Sequence, residues 1–221
     1  MHEIEIVKPG EIEGRSFDLI TEELDRCGIV LPEDQRPVTM RVIHTTADFD
    51  YTDTLVYTEH AVEKARALLA AGADIVTDTN MALAGINKKV LAACGGEAHC
   101  YMAEEQVAKL AKERGVTRAS VSMELASQRN KPVIFAVGNA PTALVSLYDL
   151  IQEEKVKPEL IIGVPVGFVN VVQSKELIMS ADVPYIVARG RKGGSNIAAC
   201  IVNALLYMID NDRYYWTDKK I

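Results

Sequence analysis

Val133–Thr142 reads VIFAVGNAPT, Leu160–Val169 reads LIIGVPVGFV and Tyr185–Ser195 reads YIVARGRKGGS. In each, an apolar run of strand length breaks at glycine and reopens as the start of a helix. Short apolar strands alternating with helices call for right-handed crossovers, and so for a mainly parallel sheet with helices on both faces. The expected fold class is α/β. Each break should also leave backbone amides unpaired along one rim of the sheet, and that rim is where a ligand is expected.

Upstream of these units the same alternation continues. Asp74–Thr77 and Ala98–Met102 read as strands, with a helix around Asn87–Ala93 and helices from Glu104 to about Gln128. The first part of the chain is helical instead. Glu11–Arg26, entered through Pro9-Gly10 and closed at Gly28, puts Ile12, Phe17, Ile20 and Leu24 on one face. Pro32–Thr46 alternates at Val38, Met40 and Val42 like a strand, but its acidic opening suits a helix first turn, and helix is the reading adopted. Thr46–Thr58 is rich in turn formers and acids. Glu59 then opens a helix that Gly72 ends, and a final helix spans Ser195–Ile209. No repeat or long linker divides the chain, so residues 1–221 are expected to form one α/β domain with a helical N-terminal segment. The tail from Asp210 carries the only Trp and two tyrosines among charges, which fits either a docked terminus or a contact with another subunit.

Composition excludes several function classes. With 48% hydrophobic and 25% charged residues the chain is globular rather than disordered. A net charge of -7 argues against nucleic acid or an acidic membrane as partner, because both draw on an excess of Lys and Arg. No run approaches the roughly 20 apolar residues of a membrane span, and the first residues lack a signal-peptide pattern, so a cytoplasmic location is expected. Cys27, Cys94, Cys100 and Cys200 form no CxxC pair, which favours reduced structural thiols; although Cys94 and Cys100 bracket His99, no metal site is expected.

Three local features carry possible chemistry. Gly193-Gly194 before the helix at Ser195, with Arg189, Arg191 and Lys192 just ahead, could hold a phosphate or carboxylate on backbone amides, or could equally be a tight turn with solvated basic side chains. Neither GxxxxGK[ST] nor a first-strand GxGxxG is present. Gly167 in GVPVGFV would let a large flat ligand lie against backbone. Among His2, His44, His60 and His99, His2 is terminal, His60 reads as a surface or capping residue, and His99 sits among apolar neighbours in a strand. His44 is followed by Asp48 and Asp50, either of which could orient it, but a lone histidine near a helix end usually has no catalytic role.

The segment around His44, TDTNMALAGI from Thr77, VTRAS ending at Ser120, and VGNAPTAL, GVPVGFV and GRKGGS together resemble the precorrin-8X methylmutases, in the same order over nearly the whole chain. That resemblance implies an isomerase of cobalamin biosynthesis. It would move a methyl group between adjacent carbons of ring C in a corrin precursor, to give hydrogenobyrinate or, on a cobalt-containing ring, cobyrinate. It further implies His44 as the proton donor, no redox cofactor or methyl donor, and a homodimer. A wide apolar ring edged with carboxylates needs an apolar floor and scattered anion anchors. For those anchors the expectation is Arg15 and Ser16 of the first helix, Thr77, Arg118, and Arg191, Lys192, Gly193, Gly194 and Ser195, with Gly167 beneath the ring. A corrinoid carrier without catalysis, and a nucleotide-binding protein using the Gly193-Gly194-Ser195 turn, are the competing classes.

Overall fold

The computed structural model describes residues 5–209, so His2 and the tail from Asp210 lie outside the described residues. A 3-10 turn at Pro9–Glu11 leads into α1 (Ile12–Arg26). Next come α2 (Arg36–Thr46), the one-turn α3 (Tyr51–Thr54), β1 (Leu55–Tyr57) and α4 (Ala61–Ala70). The alternating part follows as β2 (Asp74–Thr77), α5 (Asn80–Gly85), α6 (Lys88–Ala93), β3 (Ala98–His99), α7 (Glu105–Arg114) and α8 (Arg118–Ala126). It closes with β4 (Val133–Val137), α9 (Pro141–Gln152), β5 (Leu160–Gly163), α10 (Val171–Met179), β6 (Tyr185–Ala188) and α11 (Ser195–Tyr207).

The strands form one sheet in the order β1-β6-β5-β4-β2-β3. Every neighbouring pair is parallel except β1 with β6. Successive side chains alternate between the faces, as the pleat requires. Ile75, Ile134, Ile162 and Ile186 pack with α1, α2, α4, α5, α6 and α11, while Val76, Phe135, Ile161 and Val187 pack with α8, α9 and α10. The expected α/β architecture, with helices on both faces and a helical N-terminal segment, is what the chain adopts.

Three local expectations are corrected. Residues 46–58, read as a connection, hold α3 and β1. A three-residue edge strand has no room for a period-2 pattern, and β1 exists because it pairs with β6, Leu55 opposite Ala188. Helix α5 escaped notice because it is six residues long; the Thr79 hydroxyl caps it by accepting from the Ala82 amide. The strand expected at Ala98–Met102 stops at His99, which faces Val76, one residue before its partner β2 itself ends.

This topology gathers the loops that matter. Parallel strands β2, β4, β5 and β6 end on the same edge, so residues 78–79, 138–140, 164–170 and 189–194 share one rim. Antiparallel β1 begins at that edge and brings in the turn that follows α2. Chain order runs from β2 outward to β3 in one direction and from β4 to β5 and β6 in the other. The crevice between the loops after β2 and β4 is therefore the switch point at which open α/β sheets bind ligands.

Candidate functional site

At the switch point the amides are already taken. Asp78, directly after β2 and fully buried, accepts hydrogen bonds from the amides of Gly138 (2.8 Å), Asn139 (2.8 Å) and Ala140 (2.6 Å). Those are the donors at the start of α9 that a sequence reading leaves free for a ligand. An internal carboxylate fills the place of an external anion. Burial pushes the Asp78 carboxyl above its ordinary value, against the opposing pull of the three amides. Gly138 lies so close to α11 that a Cβ there would come within 2.7 Å of the Ser195 Cα.

The glycine turn before α11 is pinned in the same manner. Gly193 has φ +152°, and a Cβ on it would overlap the Val164 carbonyl; the Gly194 amide donates to that carbonyl at 2.8 Å. The Ser195 hydroxyl is buried and shares a 2.8 Å hydrogen bond with the Thr79 hydroxyl. From below, Lys175 of α10 donates to the carbonyls of Gly190 (2.9 Å) and Lys192 (2.8 Å). The backbone of this turn is tightly packed, with the Gly194 amide taken by Val164.

His44 sits in the last turn of α2, exposed on one side and stacked on the buried Phe17 of α1, ring centroids 5.0 Å apart. Arg41, one turn earlier, pairs with Glu13 and lies over the Phe17 ring at 4.7 Å. Partial burial lowers the His44 pKa below its ordinary value, and the Arg41 charge lowers it further, with Glu13 opposing. Asp48 and Asp50 are not its orienting acids. Both carboxylates close on Lys192 Nζ, each at 2.6 Å, and the Asp48 carboxyl is held below its ordinary value by that hydrogen bond.

The remaining expected anchors are placed unequally. Arg15 already pairs with Glu5 (2.9 Å) and Glu22 (3.4 Å), and the Ser16 hydroxyl donates to the Ile12 carbonyl within its own helix. Thr77 is fully buried, its hydroxyl directed to the carbonyls of Thr79 and His99. Gly167 has φ +144°, and its amide donates to the Arg191 carbonyl at 3.2 Å. Arg191 is exposed and lies over the Phe168 ring at 5.3 Å, where Val166, Phe168 and Val169 form an exposed apolar patch on the rim. Arg118, also exposed, makes no hydrogen bond or ion pair among the described residues. It lines a groove of about 610 Å³ with Glu105, Lys109 and Lys112 between α7 and α8.

A second groove, about 970 Å³, runs between α8 and α9 past Ser120, Thr142, Ser146 and Asn170. Neither groove includes His44. His44 instead stands in the last turn of α2, just before the turn that Lys192 clamps. The structure thus ties the turn after α2, which follows His44, to Lys192 and the glycine turn before α11, and leaves Arg118 on the α7–α8 side. Among the described residues no cluster of His, Cys, Asp and Glu suited to a metal ion occurs, and no helix is long and apolar enough to cross a membrane.

Sequence reasoning missed Asp78 and Lys175. The signals were present: Asp78 interrupts a buried run at a strand end, and Lys175 occupies the stripe of α10 shared by Val171, Ser174 and Ile178, all buried.

The sequence and fold have counterparts among known proteins. The family model described as Precorrin-8X methylmutase matches residues 11–208. The chain is 43% identical to the cobalt-precorrin-8 methylmutase of Salmonella typhimurium, over 94% of this chain and 98% of that protein. It is 39% identical to the precorrin-8X methylmutase of Pseudomonas aeruginosa, over 91% and 97% respectively. The crystal structure of a precorrin-8X methylmutase from Thermus thermophilus superposes with a TM-score of 0.81 at 34% identity, covering 92% of this chain and all of that one.

Proposed function

The chain belongs to the precorrin-8X methylmutase family of cobalamin biosynthesis, as an isomerase catalysing an intramolecular methyl migration, and from that premise we propose that His44 is the proton donor of the reaction. The observation that carries the proposal is the placement of His44: an imidazole with one face on Phe17 and one side open, at the rim where the strand-end loops converge. Protonation of the conjugated ring would make the ring-C carbon that receives the methyl electron-poor. The methyl then breaks its bond to one carbon as it bonds to the neighbour. Because the overall change is an isomerisation, a proton delivered to the ring is balanced by one lost from it before release.

The substrate is a corrinoid tetrapyrrole, and the rim supplies both kinds of surface that such a ring needs. Val166, Phe168 and Val169 offer an apolar bed, Arg191 above Phe168 offers a guanidinium for a ring carboxylate, and the uncommitted Arg118, on the α7–α8 side, is the candidate for a more distant one. Docking a carboxylate-edged ring also places negative charge near His44, which favours the imidazolium that a proton donor requires. The whole chain acts as one domain, in a cytoplasmic homodimer. General acid catalysis contributes roughly 10²- to 10⁴-fold, and orientation of the ring supplies part of the remainder.

Incubating the protein with precorrin-8X and, separately, with its cobalt form tests the proposal through the visible spectrum, which shifts as conjugation rearranges. His44→Ala should lose roughly 10²- to 10⁴-fold in kcat while still binding the ring. Full turnover in that variant would remove His44 from the mechanism. Ring binding without conversion by the unaltered chain would favour a carrier.

A further inference from the structure

Lys175 is the one lysine of this chain with no exposed surface among the described residues, and it forms no ion pair among them. Taking an ammonium out of water without a carboxylate costs several kcal/mol, and an apolar residue of similar volume would fill the same space without that cost. What the ammonium does instead is hold backbone. It donates to the carbonyls of Gly190 and Lys192, while the carbonyl between them, that of Arg191, accepts from the Gly167 amide. Three successive carbonyls are thereby fixed.

The consequence reaches the His44 helix. With its carbonyl fixed from beneath, Lys192 extends its own side chain to Asp48 and Asp50, 2.6 Å from each. These acids lie in the turn that closes α2: the Asp48 amide donates to the Thr46 hydroxyl, and the Asp50 amide to Asp48. We propose that Lys175 is a positioning residue, which presents Lys192 to the Asp48–Asp50 turn and so sets the end of the helix that carries His44. Its consequence for turnover rests on the reading of His44 as proton donor; the clamp itself does not. Burial alone lowers the Lys175 pKa to about 8, so the ammonium form still predominates at neutral pH.

The test uses the full chain with Lys175→Met, Lys175→Gln, Lys192→Met and the double variant Lys175→Met/Lys192→Met. In Lys175→Met the Asp48 carboxyl, followed by NMR titration, should rise towards the ordinary carboxylate range, and the Gly194 amide should exchange at least roughly 10-fold faster. A misplacement of about 1 Å can cost roughly 10²-fold, so kcat should fall by a factor between 10 and that value. Lys175→Gln, which keeps two N–H donors without the charge, should restore a low Asp48 titration and most of kcat. The double variant should be no slower than Lys192→Met alone. Multiplicative losses in the double variant, an unmoved Asp48 in folded Lys175→Met, or a Gln variant that folds without restoring Asp48 would each overturn the proposal. So would failure of both Met and Gln variants to fold, which would make Lys175 a stability element. If the His44 reading alone is wrong, His44→Ala keeps turnover while the Asp48 shift in Lys175→Met persists.

Discussion

The surroundings of His44 and the role proposed for it pull in opposite directions. Contact with Phe17 and the charge of Arg41 favour neutral imidazole, whereas a proton donor must be charged. The two are reconciled if the substrate supplies the missing field, and the pH dependence then has a definite sign. With His44 as the proposed donor the active form is protonated, so rates should fall as pH rises through the His44 pKa. In kcat/KM, which reports the free protein, the fall should lie below the ordinary histidine value of about 6.5; in kcat, which reports the complex, it should lie higher. Equal midpoints in the two profiles would mean that the ring leaves the His44 field unchanged. His44 was legible as a residue type beside acids, but the identity of its neighbours was not. Asp48 and Asp50 belong to Lys192, about 140 residues away in the chain, and Phe17 reaches His44 only because α1 packs on α2.

At the scale of elements, the strand–turn–helix units formed where the glycine breaks placed them, and several of their amides are taken by groups of the chain itself. The start of α9 is occupied by Asp78, and the turn before α11 is closed on Val164 and Lys175. A buried donor left without its acceptor costs about 1–3 kcal/mol. Asp78→Ala deprives three amides at once, and urea denaturation should show a loss of about 2–4 kcal/mol, since some of the freed amides will recruit water. A loss under about 0.5 kcal/mol would mean that the amides are readily solvated and open to a ligand anion after all. The elements that escaped the sequence were the shortest ones. Three residues of β1 and six of α5 are too few to show a period, and each is specified by something outside itself: pairing with β6 in one case, a cap from Thr79 in the other.

For the molecule as a whole, the sheet order places four parallel strand ends and the start of β1 on one edge. The apolar residues Val166, Phe168 and Val169 stand exposed on that edge. The homodimer proposed for the family assignment should appear in sedimentation equilibrium as a mass twice the chain's 24.2 kDa, and a mass equal to one chain would exclude it. By itself the sequence determined the α/β class, the helical first segment, the apolar strand cores and the family, because hydrophobic period, glycine breaks and ordered motifs are local and survive in a linear string. Only the tertiary structure decided which rim amides are free, which acids meet Lys192 and why a lysine lies buried in α10. Those outcomes depend on groups distant in the chain competing for the same partners, and hydrogen bonds between backbone loops and remote side chains leave no periodic trace in the residues that make them.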